Sequence, residues 1–166
     1  MLCSGFGPLL RGNGRLERSP MLTSRSPDTP LAAIVEDMPL LRIQTREAVE
    51  ELGFEAREAA SVTEAIAIIE AMARPLSLLI TDVEMPGDRH GLGLAWEIHE
   101  RWPVTRILVV SGNRSFAAQQ LPPGALFLAK PFGPVRLKAC VHALFEAPRH
   151  GSIPVPSGPS DLTKYC

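Results

Sequence analysis

Five polar residues sit at the ends of short apolar runs. Glu36 and Asp37 follow LAAIV (31–35), and Asp82 closes the stretch opened by LSLLI (76–80). Ser111 follows RILVV (106–110), and Lys130 follows ALFLA (125–129). Brought together, they would make a set of three carboxylates, one hydroxyl and one amine. Carboxylates held close repel each other: at ~4 Å and an effective dielectric near 20, one pair costs about 4 kcal/mol. A bound Mg2+ relieves that repulsion, because it favours carboxylates, water and phosphate oxygens in octahedral array. A lysine opposite relieves it too. Such a set is poised for an incoming phosphoryl group. One carboxylate can act as nucleophile and form an acyl phosphate. Cation and lysine then neutralise the oxygens of the transferring group, and a serine hydroxyl can donate to one of them.

These residues converge only if the apolar runs are neighbouring strands, and the rest of the core supports that. LAAIV, LSLLI and RILVV are continuously apolar, as strands buried on both faces should be. FEAREA (54–59) is a weaker strand and ALFLA (125–129) the last one. Between them lie helical patterns. Asp37 and Pro39 make a helix start; Leu41, Thr45, Ala48 and Leu52 then share a face, and Gly53 suits the stop. Ser61 with Glu64 forms a capping box ahead of Ile66, Ile69 and Ala73. Leu94, Ile98 and Trp102 mark a third helix, ended by Pro103. SFAAQQL (115–121) allows only a short fourth helix before Pro122, Pro123 and Gly124. Val135, Val141, Leu144 and Phe145 suit a final helix. Strand and helix alternate five times. The fold expected is α/β, a doubly wound parallel sheet of five strands with right-handed crossovers. In such sheets the site lies outside the carboxyl ends of the strands, where all five polar residues fall.

The ends of the chain read differently. Residues 1–30 hold four Pro and four Gly with a charge of +2, and 147–166 hold four Pro and two Gly. Both read as flexible tails flanking a core at 31–146, whose charge is −4. Met21 is a possible natural start. The whole chain of 166 residues has net charge −1, which excludes a strongly basic nucleic-acid binder. No apolar run is long enough to span a membrane, and the N-terminus is a poor secretory signal, so a cytoplasmic protein is expected. The cysteines, Cys3, Cys140 and Cys166, are an odd count without a CxxC, which argues against a disulfide framework. Cys140 reads as a small buried residue. His90, His99 and His142 lack metal-ligand spacing.

The core resembles the receiver domain of two-component response regulators. The residues that carry the likeness are the acidic pair Glu36-Asp37, DVEMPG at 82–87, VVSG at 109–112 and KPF at 130–132. They run in family order over about 116 residues. The resemblance implies a flavodoxin-like (βα)5 fold with strand order 2-1-3-4-5. It implies that Asp82 accepts a phosphoryl group from the phosphohistidine of a histidine kinase or histidine phosphotransfer protein. Mg2+ would be held by Asp37, Asp82 and the backbone carbonyl of Glu84, with Glu36 acting through water. Lys130 would pair with Asp82 and with a phosphoryl oxygen, and the Lys130–Pro131 bond would be cis. Ser111 and Phe127 would be the switch, and Glu84 and Asn113 would tune the phosphoryl lifetime. Such a protein catalyses only its own phosphorylation and dephosphorylation. With no effector segment after the core, it would stand alone and act by protein contact, phosphorelay or phosphate drain.

Two departures stand out. The stretch Pro86–Leu94 is one residue longer than usual, and Ser111–Lys130 is shorter, with its helix cut by Pro122-Pro123. The output and dimer face is therefore altered, and the usual dimer is not assumed. Each residue also has a plainer alternative: Glu36 a solvated edge acid, Asp37 a helix cap, Asp82 a turn residue, Ser111 a turn cap, Lys130 a surface lysine, Phe127 a core aromatic. Two other functions compete. One is a receiver-like interaction module working without phosphorylation. The other is an aspartyl-nucleophile phosphatase, since Asp82-Val83-Glu84 faintly resembles the paired carboxylates of haloacid-dehalogenase-like enzymes.

Overall fold

In a computed structural model, the structure describes residues 28–85, 90–113 and 121–147. Both expected tails and the short helix at 115–121 fall almost wholly outside these residues. The described elements are β1 (Leu31–Val35), α1 (Pro39–Glu50), β2 (Glu55–Ala59), α2 (Val62–Glu70), β3 (Leu76–Asp82), α3 (Gly91–Arg101), β4 (Arg106–Ser111), β5 (Leu126–Ala129) and α4 (Pro134–Glu146). The strands form one parallel sheet in the order β2-β1-β3-β4-β5.

The period of two along each strand feeds two cores. Ala33, Val35, Leu79 and Val109 join Val62, Ala65 and Ile69 of α2 and Leu94, Ala95 and Ile98 of α3. Ala32, Ile34, Leu78, Ile80, Leu108 and Leu128 join Ala48 and Val49 of α1 and Leu137, Cys140, Val141 and Leu144 of α4. This is the doubly wound arrangement, and it explains why the central strands are apolar without alternation. Burying a side chain such as Leu78 contributes about 1.5–3 kcal/mol.

Local signals behave as the sequence suggests, with some differences. Ser61 is the N-cap of α2 and its hydroxyl accepts from the Glu64 amide at 3.2 Å. The Glu64 carboxylate reaches back to the amide of Ala60 at 2.8 Å. Gly53 has φ +88°, which a glycine adopts without steric cost, just past the end of α1. Asp37 is not the cap of α1: Met38 holds that place without a side-chain cap bond, and Pro39 opens the helix. The cap alternative for Asp37 therefore fails, which frees its carboxylate for the sheet edge. Val135 and Phe145 lie in α4 as expected but are 81 % and 41 % exposed, so its buried face is Leu137, Cys140, Val141 and Leu144. Cys140 is buried as expected, and it is disulfide-bonded.

Candidate functional site

Strand register assembles the site. Val35 pairs with Thr81, so Glu36, one residue on, stands level with Asp82. Asp82 pairs with Val110, and Ser111 pairs with Ala129, so Lys130 follows on the same edge. The Lys130 amide donates to the Ser111 carbonyl at 2.8 Å, which extends the ladder by one bond. Alternation continues to that edge. Glu36, Asp82 and Lys130 carry even numbers, like Ile34, Ile80 and Leu128, and lie on the α1–α4 side. Phe127 carries an odd number, like Val109, and packs half-buried against the α2–α3 core.

Three of the expected acids are brought together. One carboxylate oxygen from each of Glu36, Asp37 and Asp82 lies within 4.8 Å of the others. Glu36 and Asp82 are buried, at 4 % and 3 % exposure, while Asp37 is half-buried. Lys130 is the counter-charge. Its Nζ donates to Asp82 Oδ2 at 2.6 Å and to Glu36 Oε2 at 2.8 Å. The surface-lysine alternative is therefore excluded. Asp82 Oδ1 accepts from the Glu84 amide at 3.1 Å, and Glu36 Oε1 accepts from the Met38 amide at 3.2 Å.

The electrostatics follow from burial. Burial pushes the Glu36 carboxyl above its ordinary value, more than the Lys130 hydrogen bond lowers it. Burial alone would lower the Lys130 ammonium, but its hydrogen bonds to Asp82 and Glu36 outweigh this and raise it. The lysine stays charged while the carboxylates around it are crowded and partly desolvated. The donor set is oxygen throughout, and its carboxylates would hold a hard divalent cation such as Mg2+.

The other expected residues surround this cluster. The Glu84 side chain is exposed and stands apart from the three acids; its carboxylate lies where a Cβ on Gly112 would come within 3.2 Å. Ser111 is fully buried, and its Oγ accepts from the Asn113 amide at 3.0 Å. The Lys130–Pro131 bond is cis, as the resemblance implies. A groove beside Glu84 and Asn113 is lined by Val62, Met85, Leu92 and Trp96.

Two residues at the site carry no chemistry that spacing alone could flag. Gly91 opens α3 against β3, so close that a Cβ would sit 1.7 Å from the Asp82 carbonyl oxygen. Arg42 of α1 donates to the Glu36 carbonyl at 2.7 Å and weakly to that of Asp37 at 3.4 Å. A glycine after a turn and an arginine in an amphipathic helix are ordinary in sequence, and their roles appear only with the packing.

Comparison with known proteins agrees with this fold. Residues 32–142 match the response regulator receiver domain family. The sensor kinase CckA of Brucella abortus (strain 2308) is 33 % identical over 116 residues, covering 68 % of this chain and 12 % of that protein. The chain thus spans about an eighth of that relative's length. A response regulator receiver protein from Sinorhizobium medicae WSM419 superposes with a TM-score of 0.68 at 21 % identity, covering 75 % of this chain and all of that one. The response regulator TrrA of Thermotoga maritima, solved in complex with Mg(2+)-BeF, gives a TM-score of 0.58 at 27 % identity, covering 69 % of this chain and 98 % of that one. With residues 32–142 matched and the five-stranded order 2-1-3-4-5 in place, the chain belongs to the response regulator receiver domain family, the signalling domains of two-component systems.

Proposed function

We propose that the protein accepts a phosphoryl group on Asp82 from the phosphohistidine of a histidine kinase or histidine phosphotransfer protein. The observation that carries this reading is Lys130 Nζ bridging Asp82 Oδ2 and Glu36 Oε2, with Asp37 in the same cluster of carboxylates. In the step itself an Asp82 carboxylate oxygen attacks phosphorus. The nitrogen–phosphorus bond breaks and its electron pair returns to the imidazole. Lys130 already touches the nucleophile, and its ammonium can follow the new negative charge onto a phosphoryl oxygen. Asp37, Asp82 and the Glu84 carbonyl, with Glu36 through water, would hold a Mg2+ ion, which would supply further neutralisation of that charge.

The Ser111 hydroxyl would next bind the phosphoryl group. To do so it must turn its proton away from the Asn113 carbonyl, which it meets at 3.5 Å, while its oxygen can go on accepting from the Asn113 amide. Phosphorylation adds about −1.5 to −2 charges, and a two-state element must read them. Ser111 and Phe127 are proposed as that element, because they lie on β4 and the neighbouring edge strand β5. The protein then acts by contact with a downstream partner, by passing the group on, or by draining it from the kinase.

The test is intact-mass analysis after treatment with acetyl phosphate, with and without Mg2+, beside Asp82→Asn. A Mg2+-dependent adduct on the wild type, absent from Asp82→Asn, is expected. No adduct under any condition would replace this reading with the phosphorylation-independent interaction module.

A further inference from the structure

We propose that Arg42 is a positioning residue for the acidic pair, holding the β1–α1 loop so that Glu36 and Asp37 face Asp82 before any cation arrives. This rests on the reading of those acids as cation ligands. The Arg42 side chain occupies two consecutive carbonyls of the loop, and its amide makes the ordinary first-turn helical bond to the next. The Arg42 amide donates to the Met38 carbonyl at 3.0 Å, and its Nη1 to those of Glu36 at 2.7 Å and Asp37 at 3.4 Å. β1 ends at Val35, so the strand ladder no longer serves these carbonyls. The guanidinium is itself anchored: its Nε lies 3.7 Å from Glu58 Oε1 on β2, and Glu58 is shared with Arg46 at 3.2 Å. β2 is tied to the same loop through the Glu36 amide, which donates to the Ala59 carbonyl at 3.1 Å.

Among the described residues the arginine's ion-pair partner is Glu58, and the Glu36 carboxylate is engaged by Lys130 and the Met38 amide. Arg42 therefore acts on the backbone of the acids and not on their charge. That distinction sets the sign of its effect. Deleting a cation near an acidic cluster would by charge alone strengthen Mg2+ binding. Loosening the loop would weaken it. A lysine would keep the charge, but its single ammonium lacks the rigid fork that spans the carbonyls and Glu58.

The experiment titrates Mg2+ calorimetrically into wild type, Arg42→Gln, Arg42→Lys and Glu58→Gln, with Asp37→Asn as the ligand control. Amide hydrogen exchange at Met38 is followed in the same proteins without metal. Arg42→Gln is expected to weaken Mg2+ binding about tenfold, as loss of a ligand-orienting group does. Arg42→Lys and Glu58→Gln should weaken it by smaller factors, and Met38 should exchange faster in all three. Should Arg42→Gln fail to fold, Arg42→Lys and Glu58→Gln carry the same test. Unchanged or tighter Mg2+ binding in Arg42→Gln, full recovery in Arg42→Lys, or unchanged exchange at Met38 would each overturn the proposal. A wild type that takes up no Mg2+ would sink the cation reading, and metal-free exchange at Met38 would still decide for or against the clamp.

Discussion

Lys130 faces two acids that would otherwise repel each other, so its removal reports on the site directly. Breaking a buried pair leaves uncompensated charge. Lys130→Ala is expected to destabilise the metal-free protein by about 3 kcal/mol, the low end for such pairs because the lysine is partly solvated. Saturating Mg2+ should shrink that deficit, since a cation held by the same acids replaces the lost charge. Urea unfolding with EDTA and with Mg2+ measures both, and an equal deficit in the two conditions would contradict the shared site. Glu36 gives a pH signature. Its folded pKa is raised, with burial the main cause, so the native state binds that proton more tightly than the unfolded chain. The stability it contributes is complete below the ordinary value of 4.5 and is lost as pH rises through the folded value. In metal-free protein, wild-type stability relative to Glu36→Gln should therefore fall as pH rises from 4.5 through the raised value. A flat difference would refute the assignment. Lys130 titrates outside this window: its pKa is raised, so its contribution is present below 10.5 and is lost only above it.

Among the elements, α3 carries the tightest constraint. Gly91 is its first residue and presses on the Asp82 carbonyl, whereas Gly93, in the same turn, has open space at its Cβ position. The two glycines make an internal comparison. Gly91→Ala must displace α3 or the Asp82 peptide; it should cost roughly 1–3 kcal/mol, as overpacking does, and slow formation of the Asp82 adduct. Gly93→Ala should be neutral or stabilising by up to about 1 kcal/mol, because alanine loses less backbone entropy in a helix. Thermal melts and acetyl-phosphate time courses of both variants check this, and equal behaviour of the pair would contradict it. Register has an equally strict effect on the strands. A slip of one residue between β1 and β3 would turn Glu36 and Asp82 to opposite faces of the sheet.

For the molecule as a whole, the faces are unequal. Met38, Leu40 and Ile43, at the start of α1, and Val135, at the start of α4, are large apolar residues left exposed. Both helix starts follow directly on the strand ends that carry Glu36, Asp37 and Lys130. Under the proposed function a protein donor would have to approach that edge, whereas acetyl phosphate needs no docking surface. Ile43→Glu should therefore leave the adduct from acetyl phosphate unchanged and slow transfer from a phosphorylated histidine phosphotransfer protein by tenfold or more, for a loss of about 1.4 kcal/mol. Equal slowing with both donors would place the defect in the site and not in docking. Among the described residues no helix is long and apolar enough to cross a membrane.

The strands and the acids at their ends were legible in the chain because each depends on local pattern, whereas the strand order followed only from the resemblance to receiver domains. A continuous apolar run such as LSLLI marks a strand buried on both faces, and a polar residue at its end marks the edge. Pro39, Gly53 and the Ser61–Glu64 cap punctuate helices by rules that act within a few residues. Beyond the Lys130–Asp82 pair that the resemblance implied, only the tertiary structure decided which side chains touch. Lys130 meets Glu36 across 94 residues of sequence and Asp82 across 48. The close approach of Gly91 to the Asp82 carbonyl and the hold of Arg42 on the β1–α1 loop depend on how a helix is seated on the sheet. The exposure of Val135 and Phe145 depends on which face of α4 turns to β4 and β5. Patterns of period 2 and 3.6 encode which face is apolar, whereas contacts between distant residues arise from register and packing, which no single segment contains.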